Sequence, residues 1–241
     1  MTTRPALPAF LLTLALPAFA GGPWTPPAGV NLVPDEASFA GTISAAGRPS
    51  QVTSSMSSRE EKGAWVLREL GQSSSGDTLE VTVLDRNTFA VRSRNTQQGA
   101  THINLTYAQG KVHGTITAGG IEDAVDADLG GEAFADGACS AMVLAGLPLA
   151  AGYHAEFRSY NLRTRKAVIK LVKVEGLETL KVPAGSFRAW KAVVTNADGE
   201  PGSTTVWSEE GTHRLVRYEF RMTTGGSELL IVQERIKNLS R

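Results

Sequence analysis

The sequence predicts a mainly β protein: one large curved antiparallel sheet, a half-barrel or an open barrel, with a short helix packed across it. Three observations lead there. Apolar and polar residues alternate with period two along much of the 241-residue chain, the mark of strands with one covered and one wetter face. Short joints rich in Gly, Asn, Asp and Ser recur about every eleven residues, the spacing of neighbouring hairpins. One Ala-, Leu- and Met-rich stretch near the middle breaks the alternation and reads as a helix. About six strands on either side of that helix make a sheet too wide to lie flat, because strand twist accumulates until the sheet curls or splits.

Residues 1–20 read MTTRPALPAFLLTLALPAFA, with Arg4 the only charge, an apolar run over 9–16 and the small-x-small ending Ala18-Phe19-Ala20. This is the form of a cleaved export signal, cut between Ala20 and Gly21. Its apolar run is far shorter than the roughly 20 residues a spanning helix needs. No Cys follows it to accept a lipid. Residues 21–34 are rich in Pro and Gly and read as an extended tether. The folded body is expected to run from Asp35 to the end as a single β domain of 35–241.

Within that body, Leu79, Val81 and Val83 share one strand face and Glu80 and Thr82 the other. Ile103, Leu105 and Tyr107 oppose His102, Asn104 and Thr106, and Val112, Gly114 and Ile116 continue the pattern. Ser75-Gly76-Asp77, Asp85-Arg86-Asn87, Gln98-Gly99 and Gln109-Gly110 are the joints, made of residues that tolerate tight turns. Residues 121–131 carry Glu122, Asp123, Asp126 and Asp128 and read as a solvated acidic loop. Their spacing does not match an EF-hand, which needs alternate oxygens, a central Gly and a twelfth-position Glu. Residues 137–146 form the short helix, stopped by Gly146 and Pro148, so that the acidic loop and helix together occupy about 121–148. Strands return at 153–160, 166–175, 186–196, 203–209, 213–222 and 228–237, with Pro183-Ala184-Gly185 as a β-turn. In the fifth of these, Val216, Tyr218, Phe220 and Met222 face one way and Arg217, Glu219 and Arg221 the other.

Charge and cysteine count exclude whole classes of function. Lys and Arg total 24, as do Asp and Glu, which is unlike a strongly basic nucleic-acid binder. Without residues 1–20, which hold Arg4 and no acid, the balance becomes 23 to 24. A single cysteine, Cys139, rules out an intramolecular disulfide framework and multi-Cys metal sites. In its small apolar setting it is expected to be buried and inert. No G-x-S-x-G occurs. If Gln109-Gly110 is a two-residue loop, Thr106 pairs with His113, and His102 lies four residues further along the same face. At about 3.4 Å per residue the two imidazoles are roughly 13 Å apart, too far to share an ion. Arg158, Arg163, Arg165, Lys166, Lys170 and Lys173 form a basic stretch. It reads as a solvated sheet edge or as a contact for anionic lipid headgroups. No catalytic residue, metal or cofactor is assigned, and the chain is expected not to be an enzyme.

The segment from Met142 to Tyr153, containing Leu147-Pro148-Leu149 and Gly152-Tyr153, is followed by Val182-Pro183-Ala184-Gly185-Ser186-Phe187. Trp190-Lys191, Val206-Trp207 and Leu215-Val216-Arg217-Tyr218 come after it. This order of motifs over roughly 75–236 resembles a group of bacterial secreted domains of unknown function that carry a Val-Pro-Ala-Gly-x-Phe hairpin. More widely it resembles the half-barrels of the lipoprotein carriers LolA and LolB, in which a curved sheet holds acyl chains. The resemblance implies a half-barrel with a ligand groove in the cell envelope.

The same expectation has a physical basis: a curved sheet with apolar residues on its concave face must cover them with a helix, a ligand or a partner. Trp65, Phe89, Leu105, Tyr107, Phe187, Trp190, Trp207 and Tyr218 are the candidate ligand-lining residues, and the same residues also read as ordinary core beneath the helix. The expected function is that of an exported, non-catalytic envelope protein of the periplasm or cell exterior, not membrane-spanning, which binds or carries an apolar or lipid-like ligand. The alternative is a structural or protein-interaction module of the envelope with no ligand and an envelope protein as partner.

Overall fold

The computed structural model describes residues 27–74, 76–224 and 226–239. The expected export signal and residues 21–26 of the tether lie outside these. In chain order the elements are β1 (Asp35–Ala45), β2 (Arg48–Glu61), β3 (Ala64–Ser73), β4 (Gly76–Asp85), β5 (Val91–Gln98), β6 (Thr101–Ala108), β7 (Lys111–Ala118) and β8 (Ile121–Asp128). Then come α1 (Ser140–Ala145), β9 (His154–Asn161), β10 (Lys166–Val182), β11 (Gly185–Asn196), β12 (Ser203–Glu209), β13 (Leu215–Thr224) and β14 (Ser227–Asn238).

All the strands belong to one antiparallel sheet with the order β8-β7-β6-β5-β4-β3-β2-β1-β14-β13-β12-β11-β10-β9. The first and last strands meet at its centre, where Ala37 faces Asn238 and Ala45 faces Leu229. Two meanders therefore run outward from the β1–β14 seam, and the sheet edges, β8 and β9, are joined by residues 129–153. The two edges do not pair strand to strand. The curl brings them together through Arg165, which bonds the Asp123 carboxylate at 2.8 Å and the Ala124 carbonyl at 3.0 Å.

The connecting segment turns into the barrel instead of running over its surface. Its backbone is tied to the sheet by Leu129 N–H to Gly110 O at 2.7 Å, Val91 N–H to Ala133 O at 2.9 Å and Phe134 N–H to Arg158 O at 2.7 Å. Helix α1 is buried from Ala141 to Ala145 and packs on β12 and β13. Its last carbonyls are held by Ser208 Oγ, bonded to Ala145 O at 2.7 Å, and by the Asn31 N–H, bonded to Gly146 O. Phe134, Leu144 and Leu147 belong to one continuous core with Trp65, Leu67, Leu84, Leu105 and Val112.

Among the described residues the fold class agrees with the sequence expectation: mainly β, one large curved sheet, one short helix. Four details differ. The acidic stretch is not a loop, because Ile121–Asp128 is edge strand β8, paired with β7 from Ala118–Ile121 to Lys111–Asp128. Val125 is buried and Ala127 packs on the core, while Glu122, Asp126 and Asp128 point outward. Charge on an outward edge discourages pairing with other chains. Second, β4 presents the opposite face to the one its apolar residues suggest. Glu80 and Thr82 are fully buried, whereas Leu79 is 38% exposed. Third, β10 does not stop near residue 175: a bulge between Val174 and Gly176 lets it continue to Val182. A glycine in a strand is the usual companion of such a bend. Fourth, Val30 and Leu32 are buried in the core, so the tether is already packed on the domain before Asp35.

Candidate functional site

The helix and its flanking segment fill only one end of the barrel. The other end, towards the β1–β2, β3–β4, β5–β6, β9–β10, β11–β12 and β13–β14 turns, encloses a cavity of about 600 Å³. That is within the roughly 300–1,000 Å³ of small-molecule sites. Its walls are mainly apolar: Ile43 (β1), Val52 (β2), Phe157 (β9), Val168 (β10), Val194 (β11) and Phe220 (β13). Leu144 of α1 lies at its floor and the Asn161–Arg163 turn at its rim. Both meanders contribute, so the cavity exists only because the sheet has curled.

Against the floor stands a polar network built on Arg94 of β5. Arg94 Nε lies 3.0 Å from Glu80 Oε2, and its Nη1 lies 3.6 Å from Asp136 Oδ2. Each carboxylate has further donors. Thr96 Oγ1 donates to Glu80 Oε2 at 2.9 Å and the Cys139 N–H to Glu80 Oε1 at 3.0 Å. Asp136 accepts from Ser159 Oγ at 2.9 Å, from the Tyr160 N–H at 3.3 Å and from the Tyr107 hydroxyl. Burial works against the Arg94 charge, but Glu80 and Asp136 outweigh it and hold its pKa above the ordinary value. Burial, reinforced by Asp136, likewise keeps Tyr107 protonated. The network joins β4, β5, β6, β9 and the inner segment, which explains why Glu80 points inward. Gly137 has φ +80°, and a Cβ there would come 2.4 Å from Glu80 Oε1 and 2.6 Å from Arg94 Nε. The segment can thus approach the ion pairs only with glycine at this position.

Beside it runs a second chain of bonds with one free end. Ser54 Oγ donates to Gln233 Oε1 at 2.6 Å, and Gln233 Nε2 donates to the Tyr218 hydroxyl at 2.7 Å. The Tyr218 hydroxyl in turn donates to Glu69 Oε1 at 3.4 Å. Glu69 Oε2 is buried and has no partner among the described residues. Burial, with Glu80 directly across the strand pair, pushes Glu69 up to about 7, against the opposing pull of the Tyr218 hydrogen bond. The Tyr160 hydroxyl is a second buried group without a partner among the described residues, and Tyr160 is one of the residues lining the same cavity. Lys170, also lining it, donates to Asn196 Oδ1 at 2.5 Å, and its pKa is lowered by burial.

The residues singled out in the sequence fall into several places. Tyr218 lines the cavity. Trp65 and Leu105 are core beneath the inner segment, with Phe89 and Trp190 packed against that core. Tyr107 joins the ion network and borders a smaller recess of about 160 Å³ near the β4–β5 and β6–β7 turns. Trp207 and Phe187 belong to a separate small cluster with Val182, Ala189 and Val216. Arg217 lies 4.9 Å above the Trp207 ring, and the Trp207 Nε1–H donates to Glu178 Oε1 at 2.5 Å. The basic stretch is dispersed: Arg165 closes the seam, Arg158 donates to the Leu129 carbonyl, Arg163 is at the cavity rim and Lys170 is inside it. Cys139 is buried, and its thiol is pushed up chiefly by that burial. His102 and His113 sit on partners four residues apart, in the register expected from the Gln109-Gly110 turn.

The sequence model of the family described as "Protein of unknown function (DUF3108)" matches residues 42–231. The chain belongs to the DUF3108 family. No curated protein matches it in sequence. Among solved structures this DUF3108 chain is similar to a β-barrel-like protein of the domain of unknown function DUF1849 from Brucella abortus. Identity is 12%, coverage is 86% of this chain and 100% of that one, and the TM-score is 0.53, a likeness of fold alone. Weaker similarities are to a protein described as exported, with a YmcC-like fold, from Bacteroides fragilis (10% identity, 88% and 100% coverage, TM-score 0.35). Another is to a protein described as a lipoprotein from Parabacteroides distasonis (10% identity, 87% and 98% coverage, TM-score 0.30). Neither carries weight for the fold.

Sequence reasoning missed Glu69, Arg94, Asp136, Tyr160 and Gln233 as cavity residues and Glu80 as the partner of Arg94. The available signal was Glu80 and Thr82 alternating with three apolar residues, which marks two faces but not which one is inside.

Proposed function

We propose that this DUF3108 protein is an exported, non-catalytic binding or carrier domain of the cell envelope that holds an apolar, lipid-like ligand inside its barrel. The observation that carries the reading is the cavity of about 600 Å³ with apolar walls and a few fixed polar groups at one end, the usual composition of a small-molecule site. The signal-like residues 1–20 support export. Among the described residues no helix is long and apolar enough to cross a membrane. The resemblance to the acyl-holding half-barrels of LolA and LolB points the same way. A non-catalytic role fits a polar network whose carboxylates and guanidinium are engaged with one another.

Native mass spectrometry of the protein purified from its own host tests this. A co-purifying lipid-like mass, lost on delipidation, is the expected result. A bare mass across several preparations, together with no uptake of added lipid, would overturn it. A structural or interaction module is the second reading, favoured by the outward-facing Leu70 and Leu79, which are register partners and 41% and 38% exposed.

A further inference from the structure

The polar groups offered to the cavity are unevenly matched, and the mismatch identifies the missing partner. We propose that the cavity selects an apolar molecule ending in an oxygen acceptor, a carboxyl or ester carbonyl, that accepts the hydrogen bond of the Glu69 carboxyl group. This deepens the carrier reading above and rests on it.

The direction of each bond fixes the chemistry. Ser54 donates to Gln233 Oε1, which orients the amide so that Gln233 Nε2 donates to Tyr218. Tyr218 then has its own hydrogen left to give, and Glu69 Oε1 receives it. A protonated Glu69 carboxyl therefore carries its hydrogen on Oε2, the oxygen without a partner. Leaving a buried donor unpaired is costly, so a ligand oxygen that satisfies it gains differential affinity. Tyr160, another lining residue, has a buried hydroxyl with no partner among the described residues. Lys170 retains ammonium hydrogens beyond the one given to Asn196. Arg94 adds no free charge, being shared between Glu80 and Asp136. The supply is of donors, and the fitting ligand is an acceptor.

The groups around Glu69 come from every side. Glu80 faces it from β4 and Met56, uncharged, from β2. Tyr218 comes from β13, and Arg94, Asp136 and Lys170 line the same cavity from β5, the inner segment and β10. Cys139, at the start of α1, is buried beside Glu80. Burial and Glu80 both favour the protonated carboxyl, so the donor form is populated up to about pH 7. Above that, an acceptor ligand meets a carboxylate instead of a hydroxyl.

The test uses three probes with a twelve-carbon chain, below their aggregation limits: laurate, methyl laurate and dodecylammonium. Each is titrated into delipidated wild-type protein and into E69Q at about pH 6 and pH 8.5. In the wild type, laurate and methyl laurate are expected to bind more tightly than dodecylammonium at the lower pH. Both are expected to weaken at the higher pH, by up to about thirtyfold, because apparent Kd rises as the competent fraction falls. E69Q keeps a donor and loses this pH dependence, which separates it from the titration of laurate itself. Dodecylammonium binding as tightly as laurate, or the same pH slope for methyl laurate in E69Q as in wild type, would overturn the assignment while leaving the carrier reading intact. The head-group comparison in the wild type stands even if E69Q folds poorly. If none of the three probes binds at either pH, the carrier reading itself fails.

Discussion

At the scale of single residues, the polar end of the cavity is set by which buried carboxylates meet a charged partner. Glu80 and Asp136 share one buried guanidinium, Arg94. Glu69 is left to take a proton instead. Arg94→Met would strand two buried carboxylates, and breaking a buried pair from one side costs about 3–5 kcal/mol. Urea denaturation of the variant is expected to show that loss. Glu69 links stability to pH in a defined direction. Its pKa rises from an ordinary 4.5 to about 7 on folding, so the associated stability is complete below pH 4.5 and is lost as the pH climbs through 7. At 1.36 kcal/mol per pH unit the effect is about 3 kcal/mol. The urea midpoint of the wild type should therefore fall between about pH 5 and pH 8 more than that of Glu69→Gln, and equal slopes would show that Glu69 is not responsible. Gly137→Ala combines a strained φ with a Cβ inside the ion network and is expected to be among the more damaging methyl additions in the chain. Its melting temperature relative to wild type measures this.

At the scale of elements, alternation located strands well and their inward faces less well. The Gln109-Gly110 turn was legible because a two-residue loop fixes the register of both flanking strands, and Ala108 does face Lys111. Strand β4 was legible as a strand but not in its orientation, since period two states only that alternate residues face opposite ways. Its buried face is the polar one because Arg94 and the Cys139 backbone N–H satisfy Glu80 there. Strand β8 was hidden by its acidity. What makes it a strand is an open β7 edge and the burial of Val125, neither of which composition conveys. The β4–β5 connection depends on Asp85, whose Oδ1 accepts from the Asn87 N–H at 2.8 Å and the Thr88 N–H at 2.9 Å. These two bonds lead the causes holding its carboxyl well below the usual range. Asp85→Ala is expected to cost about 1–2 kcal/mol through their loss, read as a shift of the denaturation midpoint.

At the scale of the whole molecule, the sheet stays open: its two edge strands do not pair. Its edges are joined by Arg165 to Asp123 and Ala124, and by an inner segment that crosses from β8 to β9 through the barrel. The Arg165–Asp123 pair is exposed, and such pairs contribute about 0–1 kcal/mol. Arg165→Ala should therefore leave global stability nearly unchanged. Amide hydrogen exchange is expected to quicken in β8, the edge held by that pair, and unchanged exchange there would show that the inner segment alone holds the seam. The inner segment fills one end of the barrel and leaves the other hollow, and this asymmetry creates the cavity. Ile43, Phe157 and Phe220 come from β1, β9 and β13 and line it together only once both meanders have curled.

The class of fold, most of the strands, the place of the helix and the exclusion of disulfides within the chain were legible in the order of residues. These are local properties: a period of two, turn residues at tight joints and a count of cysteines. The tertiary structure alone decided which face of each strand is interior, and with it the site. Tyr218 was visible in advance as a large residue on an apolar face. Glu69, Arg94 and Asp136 were not, because a charged residue in a strand reads as solvent-facing until its partners are known. Those partners lie on strands and segments brought together by the curl, and long-range pairing of this kind leaves no mark in the local alternation.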